Sequence, residues 1–123
     1  MVTRTILVAD DDTLLRESLC DLLGGMGVDT RQAGNGGGAI EILSHHAFDL
    51  VLSDVDMPDM TGFALLAWIQ AHRPVPSVLM SARADRQLDV AALQAGALAL
   101  LPKPVSADRL TRLVRQVLAG GFS

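Results

Sequence analysis

The sequence predicts an α/β fold in which a parallel five-stranded sheet is covered by helices on both faces. Short apolar runs recur at even spacing, at Thr5–Ala9, Val28–Gln32, Leu50–Ser53, Val78–Met80 and Leu98–Leu101. Four of the five are almost continuously apolar, as strands buried on both faces should be. Between the runs the apolar residues shift to a helical period. Alternating strand and helix implies parallel strands joined by right-handed crossovers.

Each element has a local reason. Ile6-Leu7-Val8-Ala9 passes directly into Asp10-Asp11-Asp12, so a buried strand ends in three acids. Leu15, Leu19, Leu22, Leu23 and Met26 then fall on one helical face. Asp12 or Thr13 can cap that helix, and Gly24-Gly25 and Gly27 end it. Val28-Asp29-Thr30-Arg31-Gln32 alternates and carries charge, which suits an edge strand protected from further pairing. The glycine-rich stretch Gly34–Ala39 reads as a permissive turn into a helix around Ala39–Ser44. Leu50-Val51-Leu52-Ser53 leads to Asp54 and a polar turn, Val55-Asp56-Met57-Pro58-Asp59. Helices over Phe63–His72 and Leu88–Ala95 flank the run Val78-Leu79-Met80, which ends at Ser81. Leu98–Leu101 runs into Pro102-Lys103-Pro104. The last helix places Leu110, Leu113, Val114, Val117 and Leu118 on one stripe, started by Ser106 and stopped by Gly120-Gly121.

Five such strands most commonly adopt the flavodoxin-like order 2-1-3-4-5, a (βα)5 three-layer sandwich. That order leaves the polar second strand at an edge. It makes the first and third strands neighbours, with a ligand crevice at their carboxyl ends.

Composition narrows the function classes. Residues 1–123 are expected to form a single domain with no output domain. With 50% hydrophobic and 20% charged residues, extended disorder is excluded. A net charge of −4 argues against a sequence-independent grip on nucleic acid phosphates. The lone Cys20 cannot form an internal disulfide, which suits a reducing compartment. No apolar stretch approaches a signal sequence or a membrane span. A soluble cytoplasmic protein is the expectation.

The chemistry concentrates at strand ends. A carboxylate such as Asp54 leaving a buried strand is costly unless its charge is used. All ten basic residues are arginine except Lys103, which follows the fifth strand. In the 2-1-3-4-5 order Asp10, Asp11, Asp54 and Lys103 converge, the outline of a divalent-cation and phosphoryl site. Repulsion among the acids should raise at least one carboxyl pKa when no cation is bound.

Taken singly, each of these residues has a plainer reading: a cap, a turn aspartate, a loop serine, a solvated lysine. Gly34-Asn35-Gly36-Gly37-Gly38-Ala39 also fits G-x-G-x-x-A, with Asp54 20 residues after Gly34, a dinucleotide-binding pattern. It follows the second strand, not the first, and the chain lacks room for the usual two-part sheet. Asp54-Val55-Asp56-Met57-Pro58 is not an EF-hand, and His45, His46 and His72 lack partners at zinc-ligand spacing. Arg109, Arg112 and Arg115 form a solvated helix face, with partner docking as the minority reading.

Four stretches, in order and each at a strand end, carry a resemblance. They are Ile6–Asp11, Asp49–Pro58 with Gly62, Val78–Ala82, and Lys103-Pro104. Together they make nearly the whole chain resemble a two-component response-regulator receiver domain. The resemblance implies that Asp54 accepts a phosphoryl group, with Ser81 hydrogen-bonding that group and Lys103 pairing with it. It implies Mg²⁺ held by Asp10, Asp11, Asp54 and the backbone carbonyl of Asp56, with Asp11 a direct ligand and Asp10 acting through water. A cis Lys103-Pro104 bond is also implied. So are a sensor histidine kinase or phosphotransfer domain as donor and a downstream effector or fused output domain. No nucleic acid or membrane binding by this domain is expected, and it should be a monomer or weak homodimer. Such a domain is no enzyme beyond its own phosphorylation and dephosphorylation.

One position departs from the family. Leu100 stands where an aromatic residue is usual, so output is expected to run through backbone and helix shifts. In the family the positions of Arg83 and Asp56 flank the path of the hydrolytic water, and an ion pair between them would shield the acyl phosphate. Two other functions compete. Asp54-x-Asp56 resembles the start of haloacid-dehalogenase-type phosphatases, whose motif ends the first strand, not the third. The other is a phosphorylation-independent protein-binding module.

Overall fold

The structure is a computed structural model that describes residues 3–119. The chain runs β1 (Thr5–Ala9), α1 (Thr13–Gly24), β2 (Asp29–Ala33), α2 (Gly36–His45), β3 (Leu50–Asp54), α3 (Gly62–His72), β4 (Ser77–Ser81), α4 (Arg86–Gln94), β5 (Ala99–Pro102) and α5 (Ala107–Leu118). The five strands form one sheet in the order β2-β1-β3-β4-β5, every pair parallel. Every residue of β3 and β4 is buried, whereas β2 is largely exposed at its edge.

Side chains alternate across the sheet and so build a core on each face. Ile6, Val8, Leu50 and Leu52 point to one face, where Leu19, Leu23, Leu110 and Val114 of α1 and α5 cover them. Leu7, Ala9 and Val51 point to the other, under Ala39 and Leu43 of α2 and Leu65 and Ile69 of α3. A third cluster joins Val55, Leu66, Leu79 and Leu100 to Ala92 of α4 and Ala97. Ala92 is the only buried residue of α4.

The register brings the strand ends level. Ala9 lies opposite Ser53, Asp54 opposite Met80, and Ser81 opposite Pro102. The residues just beyond β1, β3, β4 and β5 therefore share one edge of the sheet.

Capping explains where the helices start. Asp12, not Thr13, caps α1, its Oδ1 accepting from the Leu15 amide at 3.1 Å. Ser106 caps α5, and Asp85 caps α4, which starts at Arg86, two residues earlier than the Leu88 that the apolar pattern suggested. The helix expected from Ala39 begins at Gly36, because two carboxamide and carboxylate acceptors described below hold its first turn. Gly27 takes φ 80°, the left-handed conformation that lets the chain leave α1 for β2. The stop assigned to Gly120-Gly121 lies outside the described residues. Among the described residues no helix is long and apolar enough to cross a membrane.

Candidate functional site

The β1–α1 turn folds around Asp10, which is fully buried. Its amide donates to the Ala33 carbonyl at 3.0 Å, and its Oδ1 accepts from the Asp12 amide at 2.9 Å. Arg16 of α1 pins the turn from outside. Its Nη1 donates to the Asp10 carbonyl at 2.8 Å and its Nε to Gln32 Oε1 at 3.1 Å.

Asp54 ends β3 at 5% exposure. The following loop is tightly closed: the Val55 amide continues the ladder to the Met80 carbonyl at 2.9 Å, and the Gly62 amide returns to the Val55 carbonyl at 2.7 Å. An antiparallel bridge joins Asp56 to Thr61. A Cβ on Gly62 would overlap the Asp54 carbonyl oxygen and stand 3.0 Å from Val55 Cα, so only glycine fits there.

Lys103 reaches in from β5, its amide bonded to the Ser81 carbonyl at 3.0 Å. Its Nζ lies 2.8 Å from Asp10 Oδ2 and 3.2 Å from Asp54 Oδ1, bridging the two buried acids. The Asp10 contact is an ion pair by distance that lacks hydrogen-bond geometry, leaving Oδ2 with acceptor capacity for a further partner. The Lys103-Pro104 bond is cis. Ser81 is buried, and its Oγ accepts from the Arg83 amide at 3.0 Å, so the hydroxyl proton is free to donate elsewhere.

Burial pushes the Asp54 carboxyl above its ordinary pKa, and the neighbouring Asp10 pushes it further, against the opposing pull of Lys103. For Lys103 burial acts downward, but its contacts with Asp10 and then Asp54 outweigh it and hold the ammonium above its ordinary value. Asp10, Asp11 and Asp54 each bring a carboxylate oxygen within 4.8 Å of the others. Such a set of hard oxygen donors, with a buried acceptor on Asp10, fits a Mg²⁺-type cation rather than zinc.

The structure thus gathers Asp10, Asp11, Asp54 and Lys103, and sets Ser81 at the adjacent strand end. The Asp56 side chain is exposed in the β3–α3 loop. The expected Arg83–Asp56 ion pair is not among the salt bridges of the described residues, and both residues are exposed. Two contributors escaped the sequence reading. Arg16 carried no motif that singled it out, and Asp59 stood only as one residue of the polar turn after Asp54.

A parallel α/β sheet carrying a triad of acids and one lysine at its carboxyl edge defines a phosphoryl-handling class of domain. The response regulator receiver domain model matches residues 6–115, and the chain belongs to that family. It is 39% identical to the response regulator protein PilR of Pseudomonas aeruginosa over 96% of this chain and 27% of that protein. It is 37% identical to the DNA-binding transcriptional regulator NtrC of Escherichia coli, over 93% of this chain and 24% of the relative. The chain therefore spans about a quarter of the length of these curated relatives. Among solved structures, a CheY-like receiver domain protein from Methanospirillum hungatei superposes with a TM-score of 0.90 at 29% identity, covering 97% of this chain and 96% of that one. A two-component response regulator from Clostridium difficile gives 0.92 at 26% identity, covering 98% and 100%.

Proposed function

We propose that this receiver domain is switched by Mg²⁺-dependent phosphorylation of Asp54. The observation that carries the reading is the Lys103 ammonium bridging Asp10 and Asp54 inside a cluster of three carboxylates. Asp10, Asp11, Asp54 and the Asp56 carbonyl would hold the cation. When bound it neutralises the acids and the phosphoryl oxygens.

The step itself belongs to the chain. A carboxylate oxygen of Asp54 attacks phosphorus, the bond from phosphorus to the donor atom breaks, and the donor leaves with the electron pair. Lys103 stabilises the charge on the transferred group, and the Ser81 hydroxyl donates to one of its oxygens. The donor is a histidine kinase or phosphotransfer domain, and the setting is cytoplasmic. The relative named as a DNA-binding regulator is about four times as long as the matched segment, which supports an output carried outside these residues. No turnover of other substrates and no nucleic acid contact by this domain is expected.

The phosphatase reading is disfavoured by Asp56, whose carboxylate stands outside the gathered acids. Stoichiometry tests the point. With Mg²⁺ and a small phosphodonor such as acetyl phosphate the protein should take up one phosphoryl group; continuous hydrolysis of a phosphate monoester would favour the phosphatase.

Leu100 is buried against Leu79, Leu66 and Ala92, between the sheet and α4. With no aromatic ring to rotate, output would pass through movement of α4, which buries Ala92 fully and Leu88 only in part. Leu100→Ala should therefore retain the difference in α4 hydrogen exchange between phosphorylated and unphosphorylated protein. Loss of that difference would make Leu100 the relay.

A further inference from the structure

The glycine run at the start of α2 does hold an anion, and that anion is the chain's own. Asp59 Oδ1 accepts from the Gly36 amide at 2.9 Å and Oδ2 from the Gly37 amide at 2.8 Å. Asn35 Oδ1 takes the Gly38 amide at 2.7 Å, so all three leading amides of the helix are satisfied. No acidic residue lies in the helix's own first turn. The Asp59 carboxylate fills the place where a helix start favours negative charge.

The glycines make room for the loop that carries Asp59. A Cβ on Gly36 would overlap the Met60 side chain, and one on Gly37 would stand 3.2 Å from Asp59 Oδ2. Met60 itself packs with the α2–α3 core. The Gly36 and Gly37 amides in turn hold the Asp59 carboxyl below its ordinary pKa, so it stays ionised as a clamp. The loop is thus fastened at three places: to β4 through Val55, to its own far end through the Asp56–Thr61 bridge, and to α2 through Asp59. The last of these fixes it by hydrogen bonds to α2, where Met60 also packs. Arg16 does the equivalent for the Asp10 turn on the other side.

We propose that Asp59 is a positioning residue for the cation site, clamping the β3–α3 loop onto the start of α2 so that the loop carrying the Asp56 carbonyl is held ready for the cation it would help to bind. The proposal rests on the Mg²⁺-binding reading given above. It assigns Asp59 no contact with the cation or the phosphoryl group. The clamp acts by preorganisation, as outer-shell partners of metal ligands do.

Calorimetric Mg²⁺ titration of wild type, Asp59→Ala, Asp59→Asn and Asn35→Ala tests it. Asn35→Ala removes a cap from the same helix without releasing the loop. Asp59→Ala should weaken Mg²⁺ binding roughly tenfold, Asp59→Asn should fall between, and Asn35→Ala should bind as wild type does. At saturating Mg²⁺ the Asp59→Ala protein should still take up one phosphoryl group. If Asp59→Ala does not fold, Asp59→Asn, which keeps one acceptor and the side-chain shape, carries the comparison. Unchanged affinity in the Asp59 variants, or equal weakening in Asn35→Ala, would overturn the clamp and leave Asp59 a helix cap. Absence of Mg²⁺ binding in wild type would overturn the cation reading itself, and the clamp with it.

Discussion

Gly62→Ala is expected to cost about 3 kcal/mol or more, a fall in the thermal midpoint of roughly 10 °C. The added methyl group meets the Asp54 carbonyl oxygen and Val55 Cα, which are backbone atoms with no rotamer to yield. They are held by the Val55–Met80 ladder bond and by the 2.7 Å return from the Gly62 amide. Relief requires the end of β3 to shift, and that end is Asp54. Surviving folded protein should accordingly take up phosphoryl groups poorly. Gly24→Ala is the control: nothing lies within 4 Å of its added Cβ, so it should be neutral or stabilise by up to about 1 kcal/mol. Denaturant unfolding of both variants decides the matter, and a Gly62→Ala loss as small as that of an ordinary surface substitution would refute the close-packing account.

Lys103→Ala should have the second largest effect, because it strands two acids. Asp10 is fully buried and Asp54 nearly so, and Lys103 is the one cation within salt-bridge distance of either among the described residues. Removing one partner of a buried pair costs about 3–5 kcal/mol. Lys103 retains some exposure, so about 2 kcal/mol at neutral pH without Mg²⁺ is the better expectation. The sign of the pH dependence follows from Asp54. Its carboxyl already sits above the ordinary 3.8, and losing Lys103 raises it further. The folded state then binds the proton more tightly than the unfolded chain. Stability is retained below the ordinary value and falls as pH rises through the raised one. The defect should therefore shrink on acidification toward 3.8 and shrink again when Mg²⁺ is added. Thermal midpoints against pH, with and without Mg²⁺, read both. A deficit independent of pH and of Mg²⁺ would mean that Lys103 acts by packing alone.

The strand pattern, the sheet order and the acid cluster were all legible in the sequence. Buried parallel strands must be nearly all apolar, so their ends are marked by the first charged residue. Asp10, Asp54 and Lys103 are those residues, and the 2-1-3-4-5 order then brings them together. Side-chain reach was not legible. Nothing in the spacing of Arg83 and Asp56 showed that both would be exposed. Nor did periodicity show that α2 begins at Gly36, since three successive glycines argue against helix. That start depends on Asp59, 23 positions away from Gly36 in the chain. Local propensity cannot register a tertiary cap of that kind. The glycine run therefore looked like a ligand motif or a slack turn, when it is the seat of the neighbouring loop.

Intact-mass measurement after incubation with Mg²⁺ and acetyl phosphate, for wild type beside Asp54→Asn, tests the central claim most directly. A single phosphoryl adduct is expected on wild type, absent from Asp54→Asn and abolished when EDTA removes the cation. An unmodified wild type, or an adduct that persists in Asp54→Asn, would contradict it.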